Sequence, residues 1–125
     1  MSPLDAARAH LDKAREFLQA AEVNHELELY NAASSNAIIS GINSKDATCL
    51  RLTGRTNKQD NHDEARAELR AAGPAGLALE STFHRLLKLK PKSQYRQTSV
   101  SANDAAKAVE WATRMLDVAQ ELVSG

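Results

Sequence analysis

The sequence predicts an all-α fold, an antiparallel bundle of four to five helices forming one domain over residues 1–125. Three observations predict it. Alanine is the commonest residue, and it is the strongest helix former. Valine, isoleucine and threonine are sparse and never alternate with polar residues, which leaves strands without a pattern. Apolar residues instead recur in steps of three and four, the spacing that draws one stripe along a helix. A chain of 125 residues buries roughly two-thirds of its unfolded surface, enough for a single real core.

The first helix starts at a capping box, with Ser2 as cap, Pro3 in the first turn and Asp5 three residues after the cap. Its stripe is Leu4, Ala7, Leu11, Ala14, Leu18 and Ala21, and its end is expected near Asn24. The second helix is expected from about Glu26 to about Leu52, with Leu27, Tyr30, Ala33, Ala37, Ile38 and Ile42 inward. Ala33, Ala37 and Gly41 lie four apart on one edge, where two backbones can approach closely. Thr53-Gly54 stops this helix, glycine taking the left-handed position after it. Asn61 caps a short third helix with Glu64 closing the box; Ala65, Leu69 and Ala72 supply its stripe, and Gly73-Pro74 ends it. After "GPAG" a fourth helix carries Leu79, Phe83, Leu86 and Leu87 until Pro91. "KSQYRQTSV" is a polar connector. Ser101 and Asp104 cap the last helix, with Val100 set to staple onto Ala105. This helix has two adjacent stripes: Ala105, Val109, Ala112, Leu116 and Ala119, beside Trp111, Met115, Val118 and Leu122. A face that wide either sits centrally in the bundle or also meets a second subunit, and a homodimer is expected on that ground.

Composition excludes several classes. Sixteen basic and sixteen acidic residues cancel, so the overall charge steers toward neither nucleic acid nor membrane. Cys49 is the only cysteine, which rules out an intrachain disulfide and a thiolate zinc cluster. "MSPLDAARAHLDKAREF" is charged throughout and reads neither as a signal peptide nor as a membrane anchor, so a soluble, cytoplasmic protein is expected. "HELELYN" resembles the opening of a zinc-protease helix, but Leu29 stands where a second histidine is needed. His10, His25, His62 and His84 lack partners at metal-ligand spacing, and there is no glycine-rich phosphate loop or nucleophile elbow. Neither metal nor cofactor is expected. His10 and His25 read as surface or boundary residues.

Two features carry chemistry. Between Ser81 and Asn103 there is no acid, while Arg85, Lys88, Lys90, Lys92 and Arg96 lie there with Tyr95 among them. Such a run can hold a phosphate backbone and stack one base, and Lys58 adds a further cation. The same residues also read as helix-end cations with Tyr95 packed on the core. The second feature is "RTNKQDNH". With Asn61 as cap, His62 takes the first helical position, where the dipole opposes a second positive charge and favours a neutral imidazole. A neutral histidine accepts a proton from a ribose hydroxyl, and the Arg55 fork holds the scissile phosphate. Read without this chemistry, Arg55 is a solvated loop residue and His62 a cap neighbour.

The order of elements adds a resemblance. A helix with "AREFLQAAEVN", then "ELYNAASSNAIISGINSKDA", a glycine-bounded loop, a histidine opening the next helix, and "LLKLKPKSQYRQTSVSANDAAKAVEWATRML" together resemble the HEPN superfamily over nearly the whole chain. Its small actinobacterial branch is similar in that a "DA" pair ends the second helix and a leucine-lysine segment, then tyrosine, precedes the last one. The resemblance implies a dimeric helical bundle, many members of which cleave RNA without a metal. They do so through an arginine, four to six intervening residues and a histidine; here six residues separate Arg55 from His62. The two motifs of a dimer would face one another across a cleft, leaving a cyclic phosphate end. A toxin or defence effector held by an antitoxin or a nucleotidyltransferase is one implied role. A catalytically inactive HEPN dimer binding nucleotide, RNA or a protein is the other. The chain departs from active members in setting its motif in a loop after Gly54, and from nucleotidyltransferase-paired groups in carrying "NAII" in place of an aromatic pair.

Overall fold

The computed structural model describes residues 1–57, 61–91 and 99–124. They form helices α1 (Pro3–Glu26), α2 (Tyr30–Thr53), α3 (His62–Ala71), α4 (Pro74–Leu87) and α5 (Ala102–Ser124). Among the described residues there is no strand, and no helix is long and apolar enough to cross a membrane.

The expected start signals are all used. The Ser2 hydroxyl accepts from the Asp5 amide at 3.1 Å, the Asn61 side chain from Glu64 at 3.1 Å and the Ser101 hydroxyl from Asp104 at 3.1 Å. Each cap satisfies an amide that the helix leaves without a partner. Gly54 ends α2 in the left-handed conformation at φ 80°. Three boundaries differ from expectation, the first being the end of α4, which falls at Leu87 and not at Pro91. The reversal between α1 and α2 falls at Leu27–Leu29, where Glu28 takes a left-handed φ of 63°, so Leu27 is exposed at the corner instead of turning inward. "HELEL" consists of good helix formers and gives no local mark of a turn; the packing of α1 on α2 imposes it. Pro74 belongs to the first turn of α4 with Gly73 as its cap, because a proline there sacrifices no helical hydrogen bond.

The three long helices form the body of the bundle. Ser40 donates to the Ala14 carbonyl at 2.7 Å and His10 meets Asn43 at 2.9 Å, so α1 and α2 run antiparallel. Asn31 accepts from the Val100 amide, and Arg51 Nε donates to the Leu122 carbonyl at 3.0 Å, so α5 runs in the same direction as α2. The return between them is made through α3 and α4, themselves an antiparallel pair joined by Arg66–Glu80 at 2.8 Å.

The core follows the predicted stripes in α1 (Ala7, Leu11, Ala14, Leu18, Ala21) and α4 (Leu79, Phe83, Leu86, Leu87), although Leu4 lies at the surface. In α3 only Leu69 is fully inside, with Ala65 and Ala72 packed at the margin. Val100 clusters with Ala105, Ala33 and Tyr30 as the staple predicts. The wide face of α5 is used within the bundle, against α1, α2 and α4.

Helix α2 is the central element. From Ser44 to Leu50 every residue is buried, which a one-sided stripe does not anticipate. Small side chains permit it. A Cβ on Gly41 would run into the Leu86 side chain and come within 3.5 Å of the Met115 sulfur, so α4 and α5 both close on α2 at that point. Gly76 plays the same part between α4 and the Leu69 carbonyl of α3.

We expect Gly76→Ala, which drives a methyl into a backbone carbonyl that has no rotamer to yield, to lose about 1–3 kcal/mol of stability in urea titrations. A loss of the same order is expected for Gly41→Val.

Candidate functional site

The loop after α2 begins at Gly54 and is fixed residue by residue. The Thr53 hydroxyl lies 2.8 Å from the Cys49 carbonyl and 3.0 Å from that of Arg55, and it accepts from the Arg55 amide at 3.4 Å. The Thr56 hydroxyl donates to Asp46 Oδ1 at 2.7 Å and lies 3.3 Å from Glu68 Oε1. The Asn57 amide donates to Glu68 Oε2 at 2.6 Å, and its side chain donates to Glu64 Oε2 at 3.0 Å. The loop therefore starts alongside the first two turns of α3.

At the centre of these contacts stands Lys45. Its side chain is 1% exposed. Its ammonium donates to Asp46 at 3.2 Å, to the Thr56 hydroxyl at 3.0 Å, to the Asn57 carbonyl at 3.3 Å and to Glu68 Oε1. On the far side, Asp46 lies 3.8 Å from His10 Nδ1, whose hydrogen bond is taken by Asn43. Burial alone would lower the Lys45 pKa and is the largest single influence. The bond to Glu68 and the charge of Asp46 together outweigh it and hold the group above its ordinary 10.5. Burial also pushes the neighbouring Cys49 thiol up to about 12, so this cysteine stays protonated and serves as core.

Arg55 is exposed, and its amide and carbonyl both meet the Thr53 hydroxyl. His62 is the first residue of α3, half-buried, with its Nε2 3.2 Å from the Lys90 ammonium. Both members of the predicted pair thus lie near one end of α3: Arg55 two residues before Asn57, His62 two residues before the Glu64 that Asn57 contacts. Arg85 and Lys88 are exposed at the end of α4. Lys58, Lys92, Tyr95 and Arg96 lie outside the described residues. A cleft of about 530 Å3 adjoins the loop, with Gly54, Arg8 and Arg51 on its walls. Among the described residues no group of three or more His, Cys, Asp or Glu could hold a metal ion.

The HEPN domain family matches this chain over residues 7–122. The chain belongs to the HEPN family. No curated protein matches it. Within this HEPN fold the "DA" pair, Asp46-Ala47, is a buried segment of α2, which runs on to Thr53.

Sequence reasoning missed Lys45, Asp46, Thr56, Asn57 and Glu68. One signal was available: Lys45 and Asp46 are the only charged residues from Asn31 to Leu50. An adjacent opposite pair in such an uncharged stretch of helix has little reason to be there unless buried acceptors await it.

Lys45→Met leaves the buried Asp46 and the half-buried Glu68 without their cation, and a loss of about 3 kcal/mol at neutral pH is expected in denaturant titrations. A lysine held above its ordinary value gives its full stabilisation below pH 10.5 and loses it as pH rises through the folded-state value. The gap between wild type and variant should therefore narrow in strongly alkaline solution. Cys49 should resist iodoacetamide in the native protein and react as denaturant unfolds it.

Proposed function

We propose that this HEPN protein is a metal-independent endoribonuclease, acting as a homodimer in a toxin or defence role, with Arg55 and His62 as its working groups. The observation that carries the reading is the 3.2 Å contact between Lys90 and His62, 28 residues apart. It joins the basic run of the chain to the motif histidine, so a cation that attracts phosphate stands beside the group that would move the proton. The Lys90 ammonium only donates, so Nε2 accepts and the ring proton sits on Nδ1. When RNA enters, a phosphate oxygen is the better acceptor for Lys90, and Nε2 is released toward the ribose hydroxyl.

In the reaction, His62 takes the proton of the 2′-hydroxyl as its oxygen attacks the adjacent phosphorus. Arg55 spreads its forked donors over the non-bridging oxygens, where charge accumulates. The bond to the 5′-oxygen breaks, and a proton returned to that oxygen completes a 2′,3′-cyclic phosphate and a 5′-hydroxyl. A second copy facing the first supplies the imidazolium for that proton, which gives the dimer a chemical purpose. The Arg8 and Arg51 side chains beside the loop offer phosphate contacts for the flanking strand. In this role an antitoxin or a small nucleotidyltransferase restrains the activity.

A second reading is favoured by one feature of the same contact: Lys90 occupies the lone pair that a general base must keep open. In that reading the protein is a non-catalytic HEPN dimer that binds nucleotide, RNA or a protein partner.

Incubation with single-stranded and structured RNA in EDTA separates the two. Cleavage is expected, with cyclic phosphate ends. His62→Ala should lower the rate by about 100- to 10,000-fold and Arg55→Ala by about 100- to 1,000-fold. Salt-sensitive binding without cleavage would establish the second reading, and cleavage unaltered in both variants would remove these residues from the chemistry. Analytical ultracentrifugation at micromolar concentration should show a dimer; a monomer throughout would exclude the facing arrangement.

A further inference from the structure

We infer that Lys45 is a positioning residue, whose buried ammonium holds the loop that carries Arg55 in register with the helix that begins at His62. The inference rests on the ribonuclease reading for its functional half; its structural half stands on the contacts themselves.

Two of the four acceptors around Lys45 Nζ, the Thr56 hydroxyl and the Asn57 carbonyl, belong to the two residues directly after Arg55. A third, Glu68, belongs to α3 and also receives the Asn57 amide at 2.6 Å. The fourth, Asp46, receives the Thr56 hydroxyl at 2.7 Å. One ammonium thus links α2, the loop and α3, and no neutral side chain supplies three donors at the end of a reach that long. If helix packing were the only requirement, an apolar side chain would fill this position with no charge to desolvate. What an apolar residue cannot do is grip a loop carbonyl and a loop hydroxyl. Thr53 holds the backbone of Arg55 as well, its hydroxyl lying within hydrogen-bond distance of both the Arg55 amide and the Arg55 carbonyl. Pre-orientation of this kind matters in phosphoryl chemistry, where a misplacement of about 1 Å lowers the rate by about 100-fold.

Thr56→Val tests this with the charges left in place, since valine keeps the shape of threonine and removes only its hydroxyl. Lys45→Met serves as the second, more disruptive variant, used where it remains folded by circular dichroism. Hydrogen exchange at the Asn57 amide should accelerate by about tenfold or more in Thr56→Val, with the melting temperature little changed. With RNA, kcat should fall about ten- to 100-fold while KM and the pH midpoint of the rate stay at wild-type values, because His62 is untouched. Unchanged exchange at Asn57 would overturn the inference outright. Faster exchange with an unchanged kcat would overturn the positioning role. If the wild-type protein cuts no RNA while the exchange still accelerates, the ribonuclease reading fails and the anchoring of the loop by Lys45 stands.

Discussion

The arrangement around α3 depends on one cation kept out of water. An ammonium buried to the extent of Lys45 is tolerable only if its hydrogens find acceptors and its charge a counter-charge; carboxylates from α2 and α3 and two neutral acceptors from the loop meet that demand. Asp46 is its neighbour on the same helix, Thr56 and Asn57 come from the following loop, and Glu68 from α3. Remove Lys45 itself and Asp46 is left facing the interior without its cation. The short helix α3, which buries a single leucine fully, is thereby fastened more by polar geometry than by apolar area.

Such a cluster requires a helix able to bury charge deep in the bundle, and α2 is built for that. Its buried side chains are mainly alanine, serine, glycine and threonine, which bring little apolar area but let α1, α4 and α5 come close. Close approach yields dense dispersion contacts. Gly41, at the crossing with Leu86 and Met115, sets how near those neighbours come. Ser40 and Thr48 meet their hydrogen-bonding needs on backbone carbonyls, whereas the buried Ser34 and Ser44 hydroxyls find no partner among the described residues.

The end of the molecule that carries Arg55 and His62 is ordered from this interior. Gly54 turns the chain out of α2, Thr53 and Thr56 fix the backbone on either side of Arg55, and the Asn57 contacts carry that order to the first turns of α3. Lys90 then reaches His62 from beyond the end of α4. Under the proposed function, a rigid support beneath these cationic groups supplies the order that a flexible polyanion lacks.

Helix-forming composition, capping boxes and stripe periodicity are local, so the fold class, the starts at Ser2, Asn61 and Ser101, the stop at Gly54 and the stripes of α1 and α4 could be read from the sequence. The candidate pair was legible as well, because Arg55 and His62 sit close together in one polar run. The corner at Glu28, the burial of every residue from Ser44 to Leu50, the Lys45 cluster and the meeting of Lys90 with His62 could not. Each joins residues far apart in the chain, or depends on how closely three helices crowd a fourth. Sequence determined which segments become helices and where they begin, because those choices rest on hydrogen bonds and sterics within a few residues. Tertiary structure alone decided which charges are buried and which partners they find, because desolvation and pairing depend on every element that closes around them.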